Sequence, residues 1–104
     1  MKVYLAGPMS GYDDYNFPAF FSAAKQLREE GHTVFCPAEE DLKEWKTLEE
    51  VRKHANYRDC LRKDLNYLLD HAEMVAVLPK WETSRGVKIE LALADVLQLP
   101  IRFL

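Results

Sequence analysis

The stretch Met74-Val75-Ala76-Val77-Leu78, closed by Pro79, is a continuous apolar run ended by a breaker. Successive side chains of a strand point to opposite sides, so an unbroken apolar run fits a strand covered on both faces. Such a strand belongs to a parallel sheet with helices on either side. The flanking sequence agrees. Downstream, Gly86 to Leu97 reads as a helix and Ile101 to Leu104 as a last short strand. Upstream, a helix over about Arg58 to His71 carries Leu61, Leu65 and Leu68 on one side. Thr33 to Cys36 is a strand closed by Pro37, and Val3 to Ala6 is a strand stopped by Gly7-Pro8. Between those two strands, Met9 to Asn16 reads as a polar, aromatic loop. Asn16 is placed to cap a helix with Pro18 in its first turn, Phe20, Ala23, Ala24 and Leu27 on one face, and Gly31 as its stop. The charged stretch Glu39 to Lys46 follows without an assigned element, and Thr47 with Glu50 has the capping-box spacing that opens another helix.

Strands alternating with helices predict one α/β domain over residues 1–104, Rossmann-like or flavodoxin-like. Its sheet is open and parallel, with four to five strands, helices on both faces and right-handed crossovers. Ligands of such sheets bind outside the carboxyl ends of the strands, here the segments after Ala6, Cys36 and Leu78.

Composition narrows the function classes. The chain has 104 residues, 48% of them apolar and 30% charged, with a formal charge of −3. That apolar share supports a core, and no apolar run approaches the roughly 20 residues that span a bilayer. The slight acidity argues against a nucleic-acid polymer as partner, since such binding rests on a Lys/Arg surplus. Cys36 and Cys60 form neither a disulfide framework nor a Cys-x-x-Cys pair, and His32, His54 and His71 lack metal-ligand spacing. No metal, cofactor or membrane contact is expected. Met1 to Ala6 runs directly into an apolar segment too short for a signal-peptide core, so the cytoplasm is the expected compartment, with both thiols reduced.

Two carboxylates stand out. On the last helix, Val87, Leu91, Ala94 and Leu97 form the apolar stripe, and Glu90 lies on it. An unpaired buried carboxylate is costly. Glu90 is one turn into its helix, and its side chain leans back toward the ligand edge of the sheet. Asp64 repeats the pattern between Leu61 and Leu68, with Cys60 on the same face. Two such acids meeting in one cleft have their pKa values pushed apart, and a carboxylate nucleophile with a carboxylic acid is equipment for cleaving a glycosidic bond. The alternative is that each acid pairs with a basic neighbour or caps backbone amides.

The loops carry a second signal. Ser84-Arg85-Gly86 lies where a strand passes into a helix, offering free N–H groups and one fixed positive charge to a phosphate. Capping alone would use the same Ser and Gly. The first loop, Gly7-Pro8-Met9-Ser10-Gly11-Tyr12, reaches the same edge, and its glycines permit close ligand approach or simply a tight turn.

Tyr4-Leu5-Ala6-Gly7-Pro8 resembles the opening of the nucleoside 2-deoxyribosyltransferase superfamily. Asp64-Leu65 followed by Ala72 to Val77 resembles its Asp-bearing helix and central strand, and Ser84 to Leu91 the segment with its catalytic Glu. Within it, the chain most resembles the small, mostly phage-encoded proteins grouped as DUF4406. The resemblance implies that Glu90 is a nucleophile attacking C1′ of the sugar and that Asp64 binds sugar or helps protonate the leaving base. Ser84 stands six residues before the Glu, where the deoxyribosyltransferases usually have Asp and the related nucleoside 5′-monophosphate N-glycosidases have a phosphate-binding Ser. Lys88 departs from the family's small residue two before the Glu.

The expected activity is therefore cleavage of the N-glycosidic bond of a nucleoside 5′-monophosphate or nucleoside, by hydrolysis or base transfer. Glu90 and Asp64 are the expected catalytic pair, and Tyr4, Gly7, Pro8, Met9, Ser10, Gly11, Ser84, Arg85 and Gly86 the expected binding residues. A homo-oligomer, dimer or higher, is expected because one small domain closes a pocket poorly. The alternatives are a non-catalytic nucleotide-binding module and a phage protein contacting a host partner through exposed aromatics. Trp81 and Tyr12 could stack on a base. Asp13 and Asp14 read as a solvated loop, and Arg52, Lys53, Arg58, Arg62 and Lys63 as a solvated helical face.

Overall fold

The computed structural model describes residues 1–54 and 56–104. They form four strands, β1 (Lys2–Ala6), β2 (Thr33–Phe35), β3 (Met74–Val77) and β4 (Ile101–Phe103). Five α-helices accompany them: α1 (Phe17–Glu29), α2 (Pro37–Trp45), α3 (Leu48–His54), α4 (Tyr57–Asp70) and α5 (Arg85–Val96). The sheet order is β2-β1-β3-β4 and every pairing is parallel. This is the doubly wound α/β arrangement expected from the alternation of elements. The chain leaves β1 toward β2 on one side and returns to β3 on the other, so the order reverses between β1 and β3. Ala6 and Val77, the last residues of these two strands, are partners in register, and the Leu78 N–H donates to the Ala6 carbonyl at 2.9 Å. A crevice at such a switch point is where open α/β sheets hold ligands.

The two faces of the sheet are separate cores. Val3, Leu5 and Ala76 pack with Phe17, Phe20, Ala24 and Leu27 of α1 on one side. Tyr4, Ala6, Val75 and Val77 pack with Leu68 of α4 and with Val87 and Ala94 of α5 on the other. The period-two alternation of β1 sends Tyr4 to the second face. Among the described residues, no helix is long and apolar enough to cross a membrane.

Several local expectations need correction. Pro37 does not close the second strand segment, which already ends at Phe35; it opens α2, where its missing N–H costs nothing. The charged stretch Glu39 to Lys46, given no element from sequence, lies almost wholly in this helix, which ends where Lys46 takes a φ of 67°. Asn16 precedes α1 but its side chain does not cap it. Its backbone has φ 62° and its Nδ2 donates instead to the Pro8 carbonyl at 3.0 Å. Asp14, Tyr15 and Asn16 form a tight left-handed turn in what reads as open loop, with φ of 50°, 52° and 62°. Asn56 is the cap of α4, accepting from the Asp59 N–H at 3.2 Å, so that helix begins one residue earlier than expected. Thr47 accepts from the Glu50 N–H at 3.1 Å, as its capping spacing implied. Gly31, at φ 97°, ends the α1 segment as read.

Candidate active site

The site begins with Tyr4. Its ring is buried and stacks 5.7 Å from Phe35, which in turn stacks 4.4 Å from Tyr67. The ladder fixes where the phenol points, and its hydroxyl donates to Glu90 Oε2. Glu90 is 5% exposed, and among the described residues it is the one buried charged side chain. It reaches this position because α5 packs Val87 and Ala94 on the sheet, with Glu90 between them on the same stripe.

Asp64 joins the pair from α4. Burial pushes the Glu90 carboxyl up to about 8; the Tyr4 hydrogen bond pulls it back and the Asp64 charge adds to the rise. Burial likewise raises Asp64 to about 7, with Asp41 adding to the rise and the Tyr4 hydroxyl opposing it. Burial also holds the Tyr4 phenol well above its ordinary value, reinforced by Glu90 and then Asp64, so Tyr4 stays a hydrogen-bond donor. The arrangement can therefore hold two carboxyls of unequal proton affinity around one fixed hydroxyl.

These groups line a cavity of about 540 Å³ at the carboxyl ends of β1 and β3. Gly7, Pro8, Met9 and Ser10 form one side of it. Gly7 is required there for packing, because a Cβ would stand 2.5 Å from Leu78 Cδ1 and 2.9 Å from its Cβ. Ser84, Arg85 and Gly86 form another side, at the start of α5. Ser84 Oγ accepts from the Val87 N–H at 3.3 Å, which leaves its hydroxyl proton free to donate. The Arg85 and Gly86 N–H groups belong to the first turn and have no intrahelical acceptor. Together they suit an anion.

The structure thus brings Tyr4, Asp64, Glu90 and nearly all the expected loop residues to one cavity. Gly11 is the exception: it is exposed, with φ 84° and nothing within 4 Å of where its Cβ would be, and it does not line the cavity. Tyr12 and Trp81 do not line it either, and Trp81 packs 5.5 Å from Phe103 instead of waiting for a base.

Part of the wall is not evident from sequence: Asp41 of α2, Arg52 of α3 and Tyr57 of α4 face the cavity beside Cys60, which shares the face of Asp64 as its spacing implies. Arg52 is exposed, as are Lys53, Arg58, Arg62 and Lys63, in keeping with a solvated face, and its guanidinium also lies 5.6 Å over the Tyr15 ring and 4.0 Å from Asp14. The signal for Asp41 was available. It shares the inward side of Ala38 and Leu42, visible once α2 is taken as a helix. Among the described residues, no three His, Cys, Asp or Glu side chains converge to hold a metal ion.

The doubly wound parallel sheet, with its switch point between β1 and β3, is nucleoside 2-deoxyribosyltransferase-like in fold. The molecule superposes on the 2-deoxyribosyltransferase of the psychrotolerant bacterium Bacillus psychrosaccharolyticus with a TM-score of 0.71 and 25% sequence identity, over 99% of this chain and 71% of that one. The chain belongs to the DUF4406 family, a domain of unknown function, whose model matches residues 1–103. No curated protein matches it.

Proposed function

We propose that the protein cleaves the N-glycosidic bond of a nucleoside 5′-monophosphate or nucleoside, with Glu90 as nucleophile. The observation that carries this reading is the buried Glu90 carboxyl, held by the Tyr4 hydroxyl and facing a cavity that Asp64 also enters. The likeness to an enzyme named as a 2-deoxyribosyltransferase supports the choice of substrate class. A Glu90 oxygen attacks C1′ of the sugar and the C1′–N bond breaks. Its electron pair goes to the nucleobase, which takes a proton from Asp64. The sugar is left as an ester on Glu90. Water, or a second base, then attacks C1′ and gives up a proton to Asp64 as the C1′–Glu90 bond breaks, which releases Glu90 as the carboxylate and restores both groups. For this the pair must hold one proton, on Asp64, in the interval where the two carboxyls titrate. Ser84, Arg85 and Gly86 hold a 5′-phosphate in this reading, with Arg52 as a second cation in the cavity wall.

A homo-oligomer in the cytoplasm accompanies the proposal. Ile89 and Val96 of α5 and Phe103 of the edge strand β4 are exposed apolar side chains that a second copy could cover. The test is to incubate the protein with a panel of nucleosides and nucleoside monophosphates, with and without an acceptor base, and to follow free base by chromatography. Base release is expected, and its loss in Glu90→Ala. No release from any substrate under either condition would sink the proposal. One observation favours a second reading, a non-catalytic nucleotide-binding module: burial raises the Glu90 carboxyl to about 8, which disfavours the ionised form a nucleophile needs. Nucleotide binding without base release, surviving Glu90→Ala but not Ser84→Arg, would establish that module.

A further inference from the structure

We propose that Tyr57 is a specificity-determining residue whose hydroxyl holds the 5′ oxygen of the sugar. The inference rests on the glycosidic reading above, in which C1′ lies at Glu90. It starts from a gap in α5. Gly86 and Glu90 are four residues apart, so they stand on one face of the helix, and both line the cavity. The helical rise puts them about 6 Å apart along the axis. Gly86 has no side chain, and the space one would take is approached from another helix. Tyr57 is the first residue of α4, and its Oη lies 3.1 Å from where a Gly86 Cβ would be. Ser84 Oγ lies 4.0 Å from the same point. Two hydroxyls thus flank one position, a single turn toward the helix start from the buried carboxyl.

That spacing suits a sugar. In a furanose, C1′ and the 5′ oxygen lie on the order of one helical turn apart. A sugar with C1′ at the Glu90 carboxyl and its 5′ end toward the start of α5 therefore presents that oxygen between Tyr57 and Ser84. Packing does not account for where Tyr57 stands. Its side chain is 64% exposed and belongs to neither core, yet its hydroxyl is turned onto Gly86 and it lines the cavity. The ring closes that end of the cavity from outside, and the hydroxyl is its inward polar tip. A phenol O–H donates to a hydroxyl, ester or phosphate oxygen alike. The group recognised is thus a 5′ oxygen, whether free or phosphorylated, and a sugar without it leaves Tyr57 unpaired. Gly86 is what admits the hydroxyl, since a methyl there would crowd it.

The test is Tyr57→Phe in the full chain, which keeps the ring and removes the hydroxyl. The side chain is exposed, so the fold should hold, and urea unfolding checks that it does. For each base of the panel above, calorimetry gives the Kd of three ligands: the nucleoside 5′-monophosphate, the nucleoside, and the 5′-deoxynucleoside, which lacks the oxygen. The monophosphate is expected to bind about tenfold more weakly and the nucleoside about threefold, with the 5′-deoxynucleoside unchanged. Gly86→Ala, which crowds the hydroxyl without removing it, should give the same ranking of losses. Equal losses for all three ligands in Tyr57→Phe, or no loss for any, overturn the assignment, and base release by the unaltered protein would then leave the glycosidic reading standing. Selective loss of the 5′-oxygenated ligands, with no base release from any substrate, supports the role of Tyr57 and overturns the glycosidic reading. No binding of any of the three by the unaltered protein overturns both.

Discussion

The two faces of the sheet are built from the same four strands and solve different problems. Val3 and Leu5 point toward α1 and meet Phe17, Phe20, Ala24 and Leu27, with no carboxyl among them. Tyr4 and Ala6, from the same strand, point toward α4 and α5, where Glu90 and Asp64 are partly or wholly withdrawn from water. The first face is close-packed hydrocarbon whose loss costs stability. The second carries groups that are costly to ionise where they sit, and that cost is what perturbs their proton affinity. One strand thus packs hydrocarbon through Val3 and Leu5 and, through Tyr4, holds a buried carboxyl.

The sharpest way to test that contrast is Glu90→Gln. Base release should fall by at least about a thousandfold, while the protein becomes harder to unfold. The direction with pH follows from the shift. The carboxyl has an ordinary value of 4.5 and a folded value of about 8, so the folded protein keeps a proton that the unfolded chain gives up between them. Its stability contribution is full below the lower value and is lost as pH rises through the upper one. The variant should therefore match the parent near pH 4 and exceed it by about 2–4 kcal/mol near pH 8.5, read from urea unfolding at both pH values. A variant less stable at pH 8.5 would break the contrast.

Leu27→Ala probes the other face. It should lower stability by about 3 kcal/mol and leave kcat per folded molecule unchanged, because Leu27 is 1% exposed and does not line the cavity. Tyr4→Phe keeps the ring in its stack and removes the donor. The donor favours ionised Glu90, so its loss moves the acid limb of the pH–rate profile upward by about one unit. Smallest is Ser84→Ala, which removes the α5 cap at a cost of about 1 kcal/mol in thermal unfolding. Under the proposal, it should also weaken nucleotides more than nucleosides.

The central strand, the acid-bearing helices and the carboxyl edge were legible because each is a local pattern. Met74 to Leu78 has no polar residue, and Glu90 and Asp64 break an apolar stripe that a helical wheel displays directly. The α2–α3 wall was not legible. Pro37 reads as a stop when the strand before it is the focus, yet the same ring is well suited to the first turn of a helix. With α2 unassigned, Asp41 had no face to be on, and Arg52 could be judged only by its charged neighbours. Gly7 was legible as a glycine but not for its reason, since Leu78 meets it from just beyond β3, more than 70 positions away.

The strand order has a consequence for how the chain comes into being. On a ribosome, β1 and β2 emerge early with α1 between them and can pair as a first unit. The other edge of β1 must then wait for β3, whose Met74 registers with Val3. The Tyr4 hydroxyl waits longer still, for a carboxyl 86 positions downstream. Loop closure over such spans is entropically slow to reward, so the last crossover is a late event in folding. Until α5 docks, the nascent protein holds the phenol without its acid. The candidate site is therefore assembled in a single closing step, when the helix that carries Glu90 seats itself on a sheet already in place.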